Sequence, residues 1–152
     1  MAASGSIIAA NAMVDALRRG DEASAVGFID RVIGAAHLGL CLLNACETGH
    51  PKCARLLLAA HAAVDQADSK GGTPLLAACS KGDGDCVALL LAAHAAVDKA
   101  NSNGVTPLYA ACHKGDNGDC VRLLLDAHAA VDQADSDGVT PLYAACDKGD
   151  SD

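Results

Sequence analysis

Thr73-Pro74-Leu75-Leu76-Ala77-Ala78-Cys79 returns as Thr106-Pro107-Leu108-Tyr109-Ala110-Ala111-Cys112 and again as Thr140-Pro141-Leu142-Tyr143-Ala144-Ala145-Cys146. The order of residue types predicts a helix start. A Thr hydroxyl can accept from a free N–H of the first helical turn, and Pro suits the first helical position, where its missing N–H costs nothing. The helix so begun is short. It runs through LLAACSK or LYAACHK and is expected to stop at Gly82, Gly115 or Gly149, glycine being suited to the left-handed residue that follows a helix.

Working outward, a second helix is expected to start near Asp85 or Asp119, whose charge favours a helix N-terminus. It continues through CVALLLAA or CVRLLLDA, apolar on the face toward its neighbours. After His94 or His128 the chain reads AAVDKANSNGV or AAVDQADSDGV, a turn-rich link closed by Asn-Gly or Asp-Gly. Cys46, Cys79, Cys112 and Cys146 are spaced by 33, 33 and 34 residues, and His61, His94 and His128 by 33 and 34. The extra residue is one of the Asn117–Gly118 pair, where KGDNGDC replaces KGDGDC. A fixed period of this size predicts stacked repeats.

Residues 38–60, LGLCLLNACETGHPKCARLLLAA, align with the same unit, with Leu40-Cys41 in place of Thr-Pro. Residues 13–32, MVDALRRGDEASAVGFIDRV, keep the helix–Gly–helix outline without the fingerprint and are expected to form a divergent N-terminal cap. The expected organisation is capping helices over 1–36 and a repeat array over 37–152, with repeats at about 40–72, 73–105 and 106–139 and a partial unit at 140–152. That last unit stops after its first helix, so the chain is expected to be a fragment of a longer array.

These residues resemble the ankyrin repeat. The family's T-P-L-H-x-A-A opening matches residues 73–79, 106–112 and 140–146, and its 33-residue period matches as well. The resemblance implies an all-α fold, a helix–turn–helix solenoid with short β-turn or hairpin links, its short helices lining a concave face and its hairpin tips projecting along one edge. The family's opening His is Leu76, Tyr109 or Tyr143 here, so the hydrogen bonds it supplies must come from elsewhere. The Gly that ends the family's second helix is His61, His94 or His128, and a left-handed conformation costs His more than Gly.

Composition narrows the function. The chain of 152 residues is 51% hydrophobic but only 2% aromatic, so its core must be built from closely packed small residues and an aromatic-lined pocket is not expected. The net charge is −8, of which residues 1–36 carry −1 and the remainder −7. Such a surface repels phosphate backbones, which disfavours nucleic acid and favours a protein partner with a basic surface. No run of about 18 apolar residues is present to span a bilayer, and the N-terminus lacks the basic start of a signal peptide. Eight cysteines without export are expected as free thiols in an intracellular compartment, cytoplasmic or nuclear.

There is no CxxC, and equivalent cysteines or histidines of successive repeats should lie about 8–10 Å apart. That is too far to share one zinc ion or a disulfide, so the cysteines are expected as small buried residues in tight helix contacts. His61, His94 and His128 are expected to cap helix ends through the imidazole. The link Gln133-Ala-Asp135-Ser-Asp137-Gly138 fails as a calcium loop at its first position and at Ala144, its twelfth, which leaves solvated turn carboxylates. With no P-loop, G-x-S-x-G or H-E-x-x-H, no catalytic set, metal or cofactor is expected.

Binding positions are sought where the repeats differ. Four alignable positions vary: Lys70/Asn103/Asp137, Gly72/Val105/Val139, Leu76/Tyr109/Tyr143 and Ser80/His113/Asp147. The first two lie at the turn tip, and the last two are i, i+4 on the first helix. The family resemblance implies that both sets face a binding groove. The expected function is a monomeric protein–protein interaction module using these twelve residues, with Tyr109 and Tyr143 as anchors. The alternative is a regulatory or targeting segment of a larger enzyme, channel or ubiquitin-ligase subunit.

Overall fold

A computed structural model describes residues 2–28, 35–115 and 118–149. Asn117, residues 29–32 of the expected cap, and the final residues 150–152 lie outside the described residues. Among the described residues the fold is all-helical and no strand forms. In chain order the helices are α1 (Ala2–Arg18), α2 (Glu22–Gly27), α3 (Ala35–Thr48), α4 (Pro51–Ala59), α5 (Pro74–Lys81), α6 (Gly84–Ala92), α7 (Pro107–Lys114), α8 (Gly118–Asp126) and α9 (Pro141–Gly149).

The Thr-Pro start works as its chemistry predicts. The hydroxyl oxygens of Thr73, Thr106 and Thr140 accept from the N–H groups of Leu76, Tyr109 and Tyr143 at 3.2, 3.1 and 3.3 Å. Gly82 closes α5 in the left-handed conformation at φ 83°. The second helix starts where expected: α6 begins at Gly84, next to Asp85, and Asp83 is its N-cap, its carboxylate accepting from the N–H of Cys86. Asp85 sits in the first turn, where its charge still meets the positive end of the helix. Where Thr-Pro is missing, the boundary moves. With no cap at Leu40-Cys41, α3 runs from Ala35 and reaches 14 residues against 8 for α5 and α7; the expected 36/37 division therefore falls inside a helix.

The helices stack in two rows. One is α1, α3, α5, α7 and α9, each against the next; the other is α2, α4, α6 and α8. Within each unit the two helices also pack on each other. The core follows the period. Leu42, Leu75 and Leu108 line the interior from the first row, and Leu57, Leu90 and Leu124 from the second. Between them lie Cys46, Cys79, Cys53, Cys86, Cys120 and several alanines, all buried, as a core without large aromatics requires.

The second helices of three repeats end identically. His61, His94 and His128 have φ of 61°, 61° and 62°. Their N–H groups bond Leu58, Leu91 and Leu125 carbonyls, and the following Ala62, Ala95 and Ala129 N–H groups bond Leu57, Leu90 and Leu124 carbonyls. This double bond pattern satisfies the last orphan carbonyls of each helix. The cap is made by the backbone and not, as expected, by the imidazole: the three side chains are exposed and form no hydrogen bond to a carbonyl among the described residues.

Candidate functional site: the first-helix face and the turn tips

Each link folds around one side chain. The Oδ1 of Asp68 accepts from Lys70 and Gly72 N–H, that of Asn101 from Asn103 and Val105, and that of Asp135 from Asp137 and Val139. Backbone bonds from Asp68 to Gly72, Asn101 to Val105 and Asp135 to Val139 close the tips, which are short hairpin turns without strands. The Asp-rich links are thus built by carboxylates and an amide that serve their own backbone, and no group of three or more metal-competent side chains forms among the described residues.

Successive tips are locked together. Ser102 N–H bonds the Lys70 carbonyl and Ser136 N–H the Asn103 carbonyl, both at 2.9 Å. Further in, Asp65 accepts from Ala96 N–H at 2.9 Å and Asp98 from Ala130 N–H at 2.8 Å. Gly104 shows how close the approach is. It sits at φ +76°, and a Cβ there would lie 2.9 Å from Asp135 Cα and 2.8 Å from Ser136 N, so only glycine fits. The tips form one continuous edge whose outward side chains are Lys70, Asn103 and Asp137, all exposed.

The remaining variable residues lie beside that edge on the first-helix row. Ser80, His113 and Asp147 are exposed, Tyr109 is half-buried and Tyr143 is 63% exposed. Gly72, Val105 and Val139 are half-buried at the feet of the tips. Leu76 keeps only 6% of its surface and is mostly wall. Two clefts run along this face. One of about 330 Å³ is bounded by Glu47, Asp68, Gly72, Leu76, Ser80 and Lys114 among others. The next, about 290 Å³, lies between Ser80, Val105, Tyr109, His113 and Lys114. They share Ser80 and Lys114, so the two are consecutive stations of one groove. The Lys114 ammonium donates to the Lys81 carbonyl, spanning the floor between α5 and α7.

Tyr109 is the half-buried aromatic of the groove. Its ring stacks on His113 with centroids 6.1 Å apart and planes 9° from parallel. Burial, then the nearby carboxylates of Asp135, Asp137 and Asp147, raise the pKa of its hydroxyl. Tyr109 on the first helix and Asp135 at the tip belong to the same unit, 26 residues apart, and only the folding of the link brings the carboxylate toward the phenol.

Two further features lay beyond the repeat pattern. The buried thiols of Cys46 and Cys86 come close across adjacent repeats, first helix to second helix, a pairing that equivalent positions do not show. Burial pushes Cys41 up to about 11 and raises Cys79, and the Cys46 thiol followed by burial raises Cys86, so these three are unreactive packing groups. At the α8–α9 end a hollow of about 850 Å³ opens between Ala111, Cys112, Val121, Leu125 and Ala145. Leu125, in its wall, is 45% exposed.

No described helix is long and apolar enough to cross a membrane. The family description "Ankyrin repeats (3 copies)" matches residues 13–101 and 81–152. Among curated proteins none matches the chain.

Proposed function

The chain belongs to the ankyrin-repeat family, whose members are generally protein–protein interaction modules and typically not enzymes, and from that premise we propose that this chain holds a protein partner along its first-helix face and turn tips. The footprint is Lys70, Gly72, Leu76 and Ser80, then Asn103, Val105, Tyr109 and His113, then Asp137, Val139, Tyr143 and Asp147. Residues 1–36 serve as a cap and the array acts as a monomer.

One observation carries this reading: in the two units covered on both sides, the constant Thr and Leu positions are inside, and the changing positions other than Leu76 reach the surface. Thr73, Thr106, Leu75 and Leu108 are buried, while Lys70, Asn103, Asp137, Ser80, His113 and Asp147 are exposed. Scaffold and surface thus separate within one sequence, and the changing residues gather on one face. A net charge of −8 favours a partner whose docking surface is basic.

The test is affinity capture from lysate, comparing the wild-type chain with Tyr109→Ala/Tyr143→Ala by quantitative mass spectrometry. Circular dichroism should show the double variant folded, since neither ring is in the interior. A protein enriched by the wild type and lost with the variant supports the footprint. Equal profiles for the two overturn it.

A further inference from the structure

We propose that the Tyr109–Tyr143 end of the first-helix face receives an arginine side chain from a basic partner segment, which fixes the direction in which that segment lies along the groove. The inference deepens the protein-binding reading and rests on it.

Two variable columns change character together along the array. At the tips the series is Lys70, Asn103, Asp137; on the first helices it is Ser80, His113, Asp147. All six side chains are exposed, and both columns end in a carboxylate at the same end of the groove. Tyr109 stacks on His113 in the cleft beside them, and both carboxylates, with Asp135, are near enough to act on its hydroxyl. Tyr143, one repeat further and 63% exposed, adds a second free aromatic face. The far end carries the opposite sign at its tip, with Lys70 and, on α5, Lys81 exposed.

Lys114 lines the same cleft as Tyr109, and its ammonium donates to the Lys81 carbonyl of the preceding repeat. The carboxylates of Asp137 and Asp147 therefore face outward beside aromatic surface. A guanidinium matches this set: it is planar, weakly hydrated, stacks on aromatic faces and still presents N–H groups at its edge to carboxylates. An ammonium can meet the charge but cannot stack and bond edge-on together. A phosphate or carboxylate ligand would be repelled. With the arginine fixed at the Tyr143 end, a neutral or acidic part of the segment falls toward Lys70.

The experiment uses the full chain, isotope-labelled for NMR, and three probes: Ac-Gly-Arg-Gly-Arg-Gly-NH2 and its Lys and Glu counterparts. The arginine peptide is expected to shift amides around Tyr109, Asp137, Tyr143 and Asp147 and to bind more tightly than the lysine peptide. Asp137→Asn/Asp147→Asn should weaken it about fivefold, the loss expected of two exposed ion pairs. Asp85→Asn/Asp126→Asn removes the same charge from the second helices and should leave affinity within about twofold. Tyr109→Leu/Tyr143→Leu should abolish the preference for arginine over lysine.

Equal weakening by both Asp pairs would reduce the effect to net charge and overturn the proposal. So would an arginine peptide that shifts no residue at this end, or a glutamate peptide that shifts the same ones. If lysate capture still depends on the two tyrosines while the peptide result is negative, the protein-binding reading stands and only the arginine site falls.

Discussion

His61, His94 and His128 occupy a left-handed position in which glycine is unstrained, and replacing them should stabilise the array. At φ near 61° each Cβ crowds the following carbonyl, at a cost of about 1–2 kcal/mol. Substitution by glycine removes that cost but gives the unfolded chain more freedom, which returns roughly 0.5–1 kcal/mol. The imidazoles are exposed and bond no carbonyl among the described residues, so little else is lost. The net gain is about 0.5–1 kcal/mol per site. The three sites lie in successive repeats, and the triple variant should gain about 1.5–3 kcal/mol if they act independently. For a chain of this size that raises Tm by roughly 3–12 °C. The assay is urea unfolding followed by helical circular dichroism, on His94→Gly, His94→Ala and the triple His→Gly chain. His94→Ala separates backbone from side chain: it removes the imidazole and retains the strained φ, so it should match wild type within about 0.5 kcal/mol. The reasoning is refuted if His94→Gly is less stable than wild type, or if His94→Ala gains as much as His94→Gly.

Other perturbations follow from single observations. Asn44 is buried and its Oδ1 has no hydrogen-bond partner among the described residues, while the equivalent positions hold Ala77, Ala110 and Ala144; Asn44→Ala should stabilise by about 1 kcal/mol in the same unfolding assay. Thr106 is fully buried and its hydroxyl oxygen accepts from Tyr109 N–H, so Thr106→Ala should cost about 1–2 kcal/mol and lower the urea midpoint. Cys146 is exposed, Cys112 half-buried and the other six thiols buried; a thiol reagent on the native chain should label Cys146 first and the buried set only on unfolding. Burial raises the folded-state pKa of Cys41 to about 11, so the native chain keeps a proton that the unfolded chain releases. Stability is then full below the ordinary thiol range and lost as pH rises through about 9 to 11, which urea midpoints at a series of alkaline pH values will show.

Repetition made the fold readable because it reports the same local chemistry several times. Thr at 73, 106 and 140 followed by Pro located three helix starts, and Gly82 and Gly115 two helix stops, since these residues act within a few positions of themselves. Asp85 likewise marked the start of α6, although which residue caps it, Asp83, is settled only by the bond from Cys86 N–H. At Leu40-Cys41 no cap is present at all, and α3 extends back to Ala35 because nothing stops it. The histidine ends misled in a different way. A polar side chain at a helix terminus suggests side-chain capping, whereas three successive chains of backbone bonds already satisfy the carbonyls there.

The candidate site was only half legible, for a reason that lies in how stacked repeats build surfaces. Comparing units picks out which positions vary, but each side chain's surroundings come from the neighbouring unit. Tyr109 and Tyr143 are the same residue at the same register, yet Tyr109 is half-buried and feels Asp147 of the next unit as well as Asp135 and Asp137 of its own tip, while Tyr143 stands 63% exposed. Cys46 and Cys86 make the same point in the interior, pairing a first helix with the second helix of the following repeat. A groove made this way draws each station from two adjacent units. Exchanging one repeat for a copy of another should therefore alter binding at both of its junctions and leave the rest of the face unchanged. That distinguishes a groove of coupled stations from a row of independent contacts.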